Sequence, residues 1–187
     1  MPKKSNVGRE EILSAAAEVV RKRGERELNA RAIAKELGCS TQPVYSYFRG
    51  MEELKSALFE TAKARYHAHI EEYIRLSGRS RYESYGMGFV RFAREERGLF
   101  QFLFLSGEHG PVADPYFKEI IAEMMALYHM SEETARAFHT DMSVYSFGLA
   151  AGAGQDVTDE EISAAFKREF YALYAYYFPE RPRLGGN

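Results

Sequence analysis

Apolar residues recur at three- and four-residue spacing through almost the whole chain, and nowhere do they alternate with polar ones long enough to mark a strand. That pattern constrains the fold before anything else does. One-sided helices without strands bury their apolar stripes only by packing helix on helix. The expectation is an all-α protein of about nine helices. Ile12, Ala15, Ala16, Val19 and Val20 mark the first, over residues 9–24, and Gly24 closes it. Asn29 caps a second helix that runs through Leu37 and ends at Gly38; Ser40 caps a third, to about Tyr47, and Gly50 breaks it. A long fourth helix, about 52–76, carries Leu54, Leu58, Ala62, Tyr66, Ile70 and Tyr73 on one stripe. Ser80 and Glu83 have capping-box spacing for a fifth helix, to about Glu96, and a short apolar sixth covers 99–105. Beyond a loop at 106–115, Asp114 and Pro115 start a seventh helix to about His129. Ser131 caps an eighth, to about Ala151, and Thr158 with Glu161 box the ninth, which Pro179 stops near Tyr177. Residues 179–187 read as a disordered tail.

Composition removes several classes of function. Cys39 is the only cysteine in 187 residues, so an internal disulfide and a cysteine-based zinc cluster are ruled out, which fits a reducing cytoplasm. The start, "MPKKSNVGREEIL", has no apolar signal core, and the longest apolar run, at 99–105, is far short of the ~20 residues that span a bilayer. There is no glycine-rich phosphate loop, no G-x-S-x-G and no H-E-x-x-H. His67 and His69 are two apart and diverge on a helix, while His109, His129 and His139 fall in separate segments. The chain reads as a non-enzyme with no catalytic residue, metal or cofactor assigned. Its charge is uneven. Residues 1–50 hold ten Lys/Arg against six Glu, an excess of four, while the rest hold 15 basic against 21 acidic groups. A basic N-terminal module suits an anionic partner, and also ordinary surface charge.

One spacing is more specific. Ala34 is small enough for two helices to cross closely, Gly38 tolerates positive φ four residues on, and Val44 faces back six residues later; Ile33 and Leu37 complete the contact. This is the packing logic of a helix-turn-helix, and it leaves Thr41, Gln42, Tyr45 and Tyr47 outward, toward a DNA major groove. Pro43 falls in the first turn of the third helix, where its missing N–H costs little.

The string from Arg9 to about Phe59 resembles the N-terminal DNA-binding domain of TetR/AcrR-family transcriptional regulators, through "EEILSAAAEVVRKRG", "NARAIAKELGCS" and "VYSYF" followed by "EEL". The resemblance implies a three-helix DNA-binding domain over 1–50, a fourth helix that connects, and an effector-binding and dimerisation domain over 51–178. It also implies a cytoplasmic homodimer on palindromic double-stranded DNA, repressing by default and released by an unidentified small molecule. Where the family often has a lysine before the "EEL", this chain has Met51, with Lys55 one turn on as the substitute. Thr41 and Gln42 are the expected base readers, since Gln pairs bidentately with adenine and Thr meets a thymine methyl. Tyr47 matches a family position that donates to phosphate, Tyr45 one that lines the groove, and Ser40 and Pro43 flank them. Arg31 stands at a helix N-terminus, where free N–H groups attract phosphate, as they do at the start of the fourth helix. Lys3, Lys4 and Arg9 read equally well as an arm along DNA or as a basic tail.

For the dimer the resemblance points to the last two helices. Gly148 and Gly152 permit close approach, and Phe166, Phe170, Leu173, Tyr174 and Tyr177 make an aromatic-rich face that suits an interface or the chain's own core. For the effector it points to the middle helices, where Tyr66, Met87, Phe89, Phe92, Phe104, Phe117, Met142 and Tyr145 suit an apolar or aromatic ligand or plain packing. His67, Arg91, His109 and His139 are candidate polar anchors, each more readily a surface residue. A helical sensor of small molecules, or of redox state through Cys39, without sequence-specific DNA binding, is the competing reading.

Overall fold

Each apolar stripe forms a helix in the computed structural model, which describes residues 7–107, 112, 116–152 and 157–181. The helices are α1 (Arg9–Arg23), α2 (Ala30–Leu37), α3 (Gln42–Tyr47), α4 (Met51–Leu76), α5 (Arg81–Glu95), α6 (Arg97–Phe104), α7 (Phe117–Tyr128), α8 (Glu132–Gly152) and α9 (Asp159–Tyr177), with a 3₁₀ turn at Glu25–Glu27. No strand occurs among the described residues. The arm residues Lys3 and Lys4, His109, the Asp114–Pro115 helix start, residues 153–156 and the tail beyond 181 lie outside them.

The helix ends follow local chemistry. Asn29 Oδ1 accepts from the Ala32 amide at 2.9 Å, which satisfies one of the unpaired N–H groups of α2. Thr158 and Glu161 make both halves of a capping box at the start of α9. The Ser80 hydroxyl accepts from the Glu83 amide at 3.2 Å, but the Glu83 carboxylate turns away to Arg79 and Ser163, so only half of that expected box forms. The cap of α3 also differs from expectation. Thr41, not Ser40, is its N-cap residue: Thr41 has φ and ψ of −75° and −11°, its carbonyl accepts the Val44 amide, and no side chain caps the helix.

The described residues form two compact units. One holds the chain up to Ala68 together with Glu95 to Val112; the other holds His69–Arg94 and the described chain from Tyr116 onward. This division differs from a boundary at residue 50, because α6 and most of α4 pack with the N-terminal helices. In the first unit α1 lies against α2, α3 and α6. Ile12, Ile33, Phe48, Leu54, Leu58, Leu99, Phe100 and Phe102 are all but fully buried there. Phe59 meets Phe102 edge-on at 6.2 Å, and Tyr66 meets Phe104 at 5.3 Å. α6 approaches α1 so closely that a Cβ on Gly98 would sit 2.1 Å from the Val20 carbonyl oxygen.

An ion-pair network spans that unit. Arg21 donates to Glu18 at 2.7 Å, and Arg65 of α4 donates both to Glu18 at 3.2 Å and to Glu96 at 2.6 Å. The Arg21 hydrogen bonds, opposed by burial and helped by Arg65, hold the Glu18 carboxyl down at about 2.

In the second unit α8 packs on both α7 and α9 over a core that includes Ile120, Met124, Phe138, Met142, Ile162 and Phe166. Arg94 pins the end of α5 to the start of α9 through the Val157 carbonyl at 2.5 Å and Asp159 at 2.7 Å. Tyr177 of α9 donates to Asp141 of α8 at 2.7 Å, and that acceptor pushes the phenol up to about 12.

Glu18 gives a test of the first unit. A carboxyl with a depressed folded pKa contributes stability that is full above its unfolded pKa and lost as pH falls. The gap in melting temperature between the native protein and Glu18→Gln is therefore expected to be widest above about pH 4.5 and to close as pH falls toward about 2, followed by circular dichroism.

Candidate functional site

The first surface of interest follows from the turn after α2. Gly38 takes the left-handed conformation, φ 67° and ψ 29°, and the Cys39 amide returns to the Ala34 carbonyl at 3.0 Å. The chain then reverses into α3, whose one buried residue is Val44. With Val44 inward, the other side of α3 has no cover. Gln42 and Ser46 are exposed, Tyr45 and Tyr47 are 59% and 47% exposed, and Thr41 and Pro43 are half-buried. Two tyrosines this open on a six-residue helix are a large contact area left in water. Ser46 has its hydroxyl committed to the Gln42 carbonyl at 3.0 Å, so Gln42 is the exposed amide side chain of the helix. Cys39 is half-buried beside the turn.

The flanking residues are placed less uniformly. Arg31 is exposed in the first turn of α2, whose early amides have no acceptor within the helix. Arg9, read with Lys3 and Lys4 as an arm along DNA or as a basic tail, is the first residue of α1, with its guanidinium 5.1 Å over the Phe48 ring. Lys55 lies with its Nζ 3.2 Å from Glu25, and only 19% of its side chain is exposed. The N-terminus of α4 carries Glu52 and Glu53, and the Glu53 carboxylate accepts the Arg49 amide at 2.8 Å. Those carboxylates already satisfy the positive end of that helix, so it is a poorer seat for phosphate than its sequence position implies.

The second feature is a cavity of about 390 Å³ within the second unit, bounded by α5, the end of α7, α8 and α9. Among its walls are Tyr82, Tyr85, Phe89, Tyr128, His139, Met142, Phe166, Phe170 and Tyr171, with Ser80, Glu83, Ser143, Ser146 and Lys167 as polar members. Of the residues expected to line a ligand site, Phe89 and Met142 do so. Tyr66 is buried in the first unit with the half-buried Phe104 against it, Met87 and Phe92 are buried in the second, and Phe117 borders a second, more open hollow with His139. Tyr145 stacks edge-on to the Phe166 ring at 6.2 Å, behind the wall. His139 is 5% exposed and lines the cavity, the reverse of a surface residue; its Nδ1 lies 3.5 Å from the Tyr82 hydroxyl. Burial pushes the Glu83 carboxyl up, but the Ser163 hydroxyl and the Arg79 guanidinium outweigh it and hold the group below the usual carboxylate range.

The α8–α9 residues singled out for an interface divide. Gly148 and Gly152 are exposed, and a Cβ on either would meet nothing within 4 Å. Phe166 and Tyr174 are buried in their own unit; Phe170, Leu173 and Tyr177 are half-buried. Val144 and Phe147, which the sequence did not single out, share the exposed side of α8 with Gly148 and are 69% and 37% exposed. Their spacing of three and four with Gly148 was a readable signal, masked by the stronger aromatic signal of α9.

Comparison with known proteins adds three findings. Residues 12–58 match the family described as bacterial regulatory proteins, tetR family. Among solved structures, the chain is similar to the multidrug binding protein EbrR complexed with imidazole, at 16% identity over 88% of this chain and 96% of that one, with a TM-score of 0.56. It is also similar to SCO1917, a TetR-family member from Streptomyces coelicolor A3, at 19% identity over 86% and 96% of the two chains, with a TM-score of 0.57. No curated protein matches. The family match is confined to residues 12–58, and the two solved structures share the fold of the chain as a whole. No described helix is long and apolar enough to cross a membrane.

Gly38 tests the construction of the site. Its surroundings would admit a Cβ without contact, so Gly38→Ala is expected to cost only the left-handed backbone penalty, about 1–2 kcal/mol, in urea unfolding. No loss would mean that the turn has another way to form.

Proposed function

We propose, from the match of residues 12–58 to the tetR family of bacterial regulatory proteins, that this protein is a cytoplasmic homodimeric repressor. It leaves a palindromic operator when a small apolar or aromatic molecule binds. The observation that carries the reading is the uncovered side of α3, where Thr41, Gln42, Tyr45 and Tyr47 share one short helix held from behind by Val44. In this reading Gln42 pairs with an adenine and Thr41 meets a thymine methyl, while Tyr47 donates to a phosphate and Tyr45, Pro43 and Ser40 line the groove. Arg31 and the N-terminus of α2 add a phosphate contact, and Lys3 and Lys4 follow the backbone. Lys55 joins them only by leaving Glu25.

A helix of six residues reads few bases, and pairing two on a two-fold axis doubles the site. The exposed stripe of Val144, Phe147, Gly148 and Gly152 on α8, with Tyr171 and Tyr176 on α9, supports a helix-on-helix interface there. Phe166 and Tyr174, buried in their own unit, hold α9 in place behind it, while Phe170, Leu173 and Tyr177 border it. The aromatic cavity supports the effector site, and a protein of the same fold is described as binding multiple drugs.

Selection from a pool of random duplex DNA tests the reading: a palindrome is expected to be enriched, and Gln42→Ala to reduce discrimination by about 1–3 kcal/mol at one position of each half-site. Absence of any preferred sequence would refute it. Gly148→Leu separately tests the interface. Its side chain has room within the chain, so the variant is expected to melt like the native protein yet sediment as a monomer; a persistent dimer would move the interface off α8.

A further inference from the structure

We propose that the cavity of the second unit takes a planar aromatic carboxylate, its rings among the aromatic walls and its carboxylate on Lys167; this rests on the effector-site reading above. Phe166, Lys167, Phe170 and Tyr171 succeed one another on one side of α9 and all line the cavity. One helix face therefore supplies both ring walls and an ammonium. Opposite them, Tyr82 meets Phe170 edge-on at 6.1 Å, and Phe89 adds a further aromatic wall. Aromatic walls of this kind favour a flat ligand that stacks and meets ring edges.

The charges choose its sign. Glu83 is the only carboxylate among the described lining residues, and it is already held by the Arg79 guanidinium at 2.5 Å and the Ser163 hydroxyl at 2.7 Å. Arg79 and Glu83 neutralise each other. The Lys167 ammonium lies 3.9 Å from the same Glu83 oxygen, beyond hydrogen-bond distance, and its side chain is 56% exposed. It is the one Lys or Arg among the described lining residues, and its ion pair with Glu83 is longer than a hydrogen bond. An organic cation has to displace Arg79 from Glu83 and meets Lys167 as a like charge. A carboxylate leaves the Arg79–Glu83 pair intact and gains a charge-assisted hydrogen bond from Lys167 in place of its longer contact with Glu83. The two serines do not compete for the anion: Ser143 and Ser146 commit their protons to the carbonyls of His139 and Met142, at 2.7 and 2.6 Å. The ring system therefore goes inward, with the carboxylate at the exposed edge.

Three probes of one shape test this by titration calorimetry on the full chain: naphthoate, naphthylmethanol and naphthylmethylammonium. Naphthoate is expected to bind about tenfold tighter than the alcohol, and the ammonium most weakly. Lys167→Met is expected to bring naphthoate down to the alcohol's affinity while leaving the alcohol unchanged, and Lys167→Arg to keep the native order. Ser146→Phe, which fills the cavity, is expected to abolish all three. If the ammonium binds best, or if Lys167→Met leaves the advantage of naphthoate intact, the charge assignment is overturned while the cavity stands as an effector site. If no probe binds, or if binding is undiminished in Ser146→Phe, the effector-site reading falls and this proposal with it.

Discussion

The burial of Val44 is the contact on which the exposed side of α3 depends. It is the single buried residue of α3, a helix too short to persist alone, and it is presented by a left-handed turn that only glycine adopts without strain. With Val44 inward, helical geometry leaves Gln42, Tyr45 and Tyr47 outward. Phe48, next along the chain, is 2% exposed and lies under the Arg9 guanidinium, so both the middle and the end of α3 are held. The exposed aromatic area is a consequence of this arrangement, and it costs solubility unless a partner covers it.

The rest of the first unit holds that arrangement rigid. The close approach at Gly98 and the Glu18–Arg21–Arg65–Glu96 network tie α6 and α4 to α1. α4 contributes residues to both units, its first turns to one and those from His69 to the other. The chain crosses between the units within α4 and again at the end of α5, between Arg94 and Glu95, so under the proposed function these are the crossings within described helices that an effector acts through.

The architecture was legible in the sequence because helical periodicity, caps and glycine stops are local signals. Asn29, Thr158 with Glu161, and Gly38 do in the structure what their spacing foretells. The turn and Val44 were readable too, since one small residue, one glycine and one apolar residue at fixed distances imply the crossing. Contacts set by distant residues were not legible. Nothing near Lys55 in the chain announces Glu25, thirty residues earlier, as its partner. The stacking of Arg9 on Phe48 and the burial of His139 against Tyr82 are of the same kind. The described cavity is lined by the aromatic and Met side chains that the sequence pointed to as a class, with Phe89 and Met142 the named residues among its walls. Aromatic content reveals that a pocket can exist, whereas which rings face a void and which fill the core is decided by how α5, α7, α8 and α9 meet.

The central claim is that ligand in the cavity and DNA on α3 oppose one another through the fold. Linkage makes this measurable, because a coupling between two sites is the same from either side. Operator affinity titrated with and without a cavity ligand, and ligand affinity titrated with and without operator, are predicted to fall by the same factor, about 5- to 150-fold. Equal ligand affinity for the free and DNA-bound protein would contradict the account.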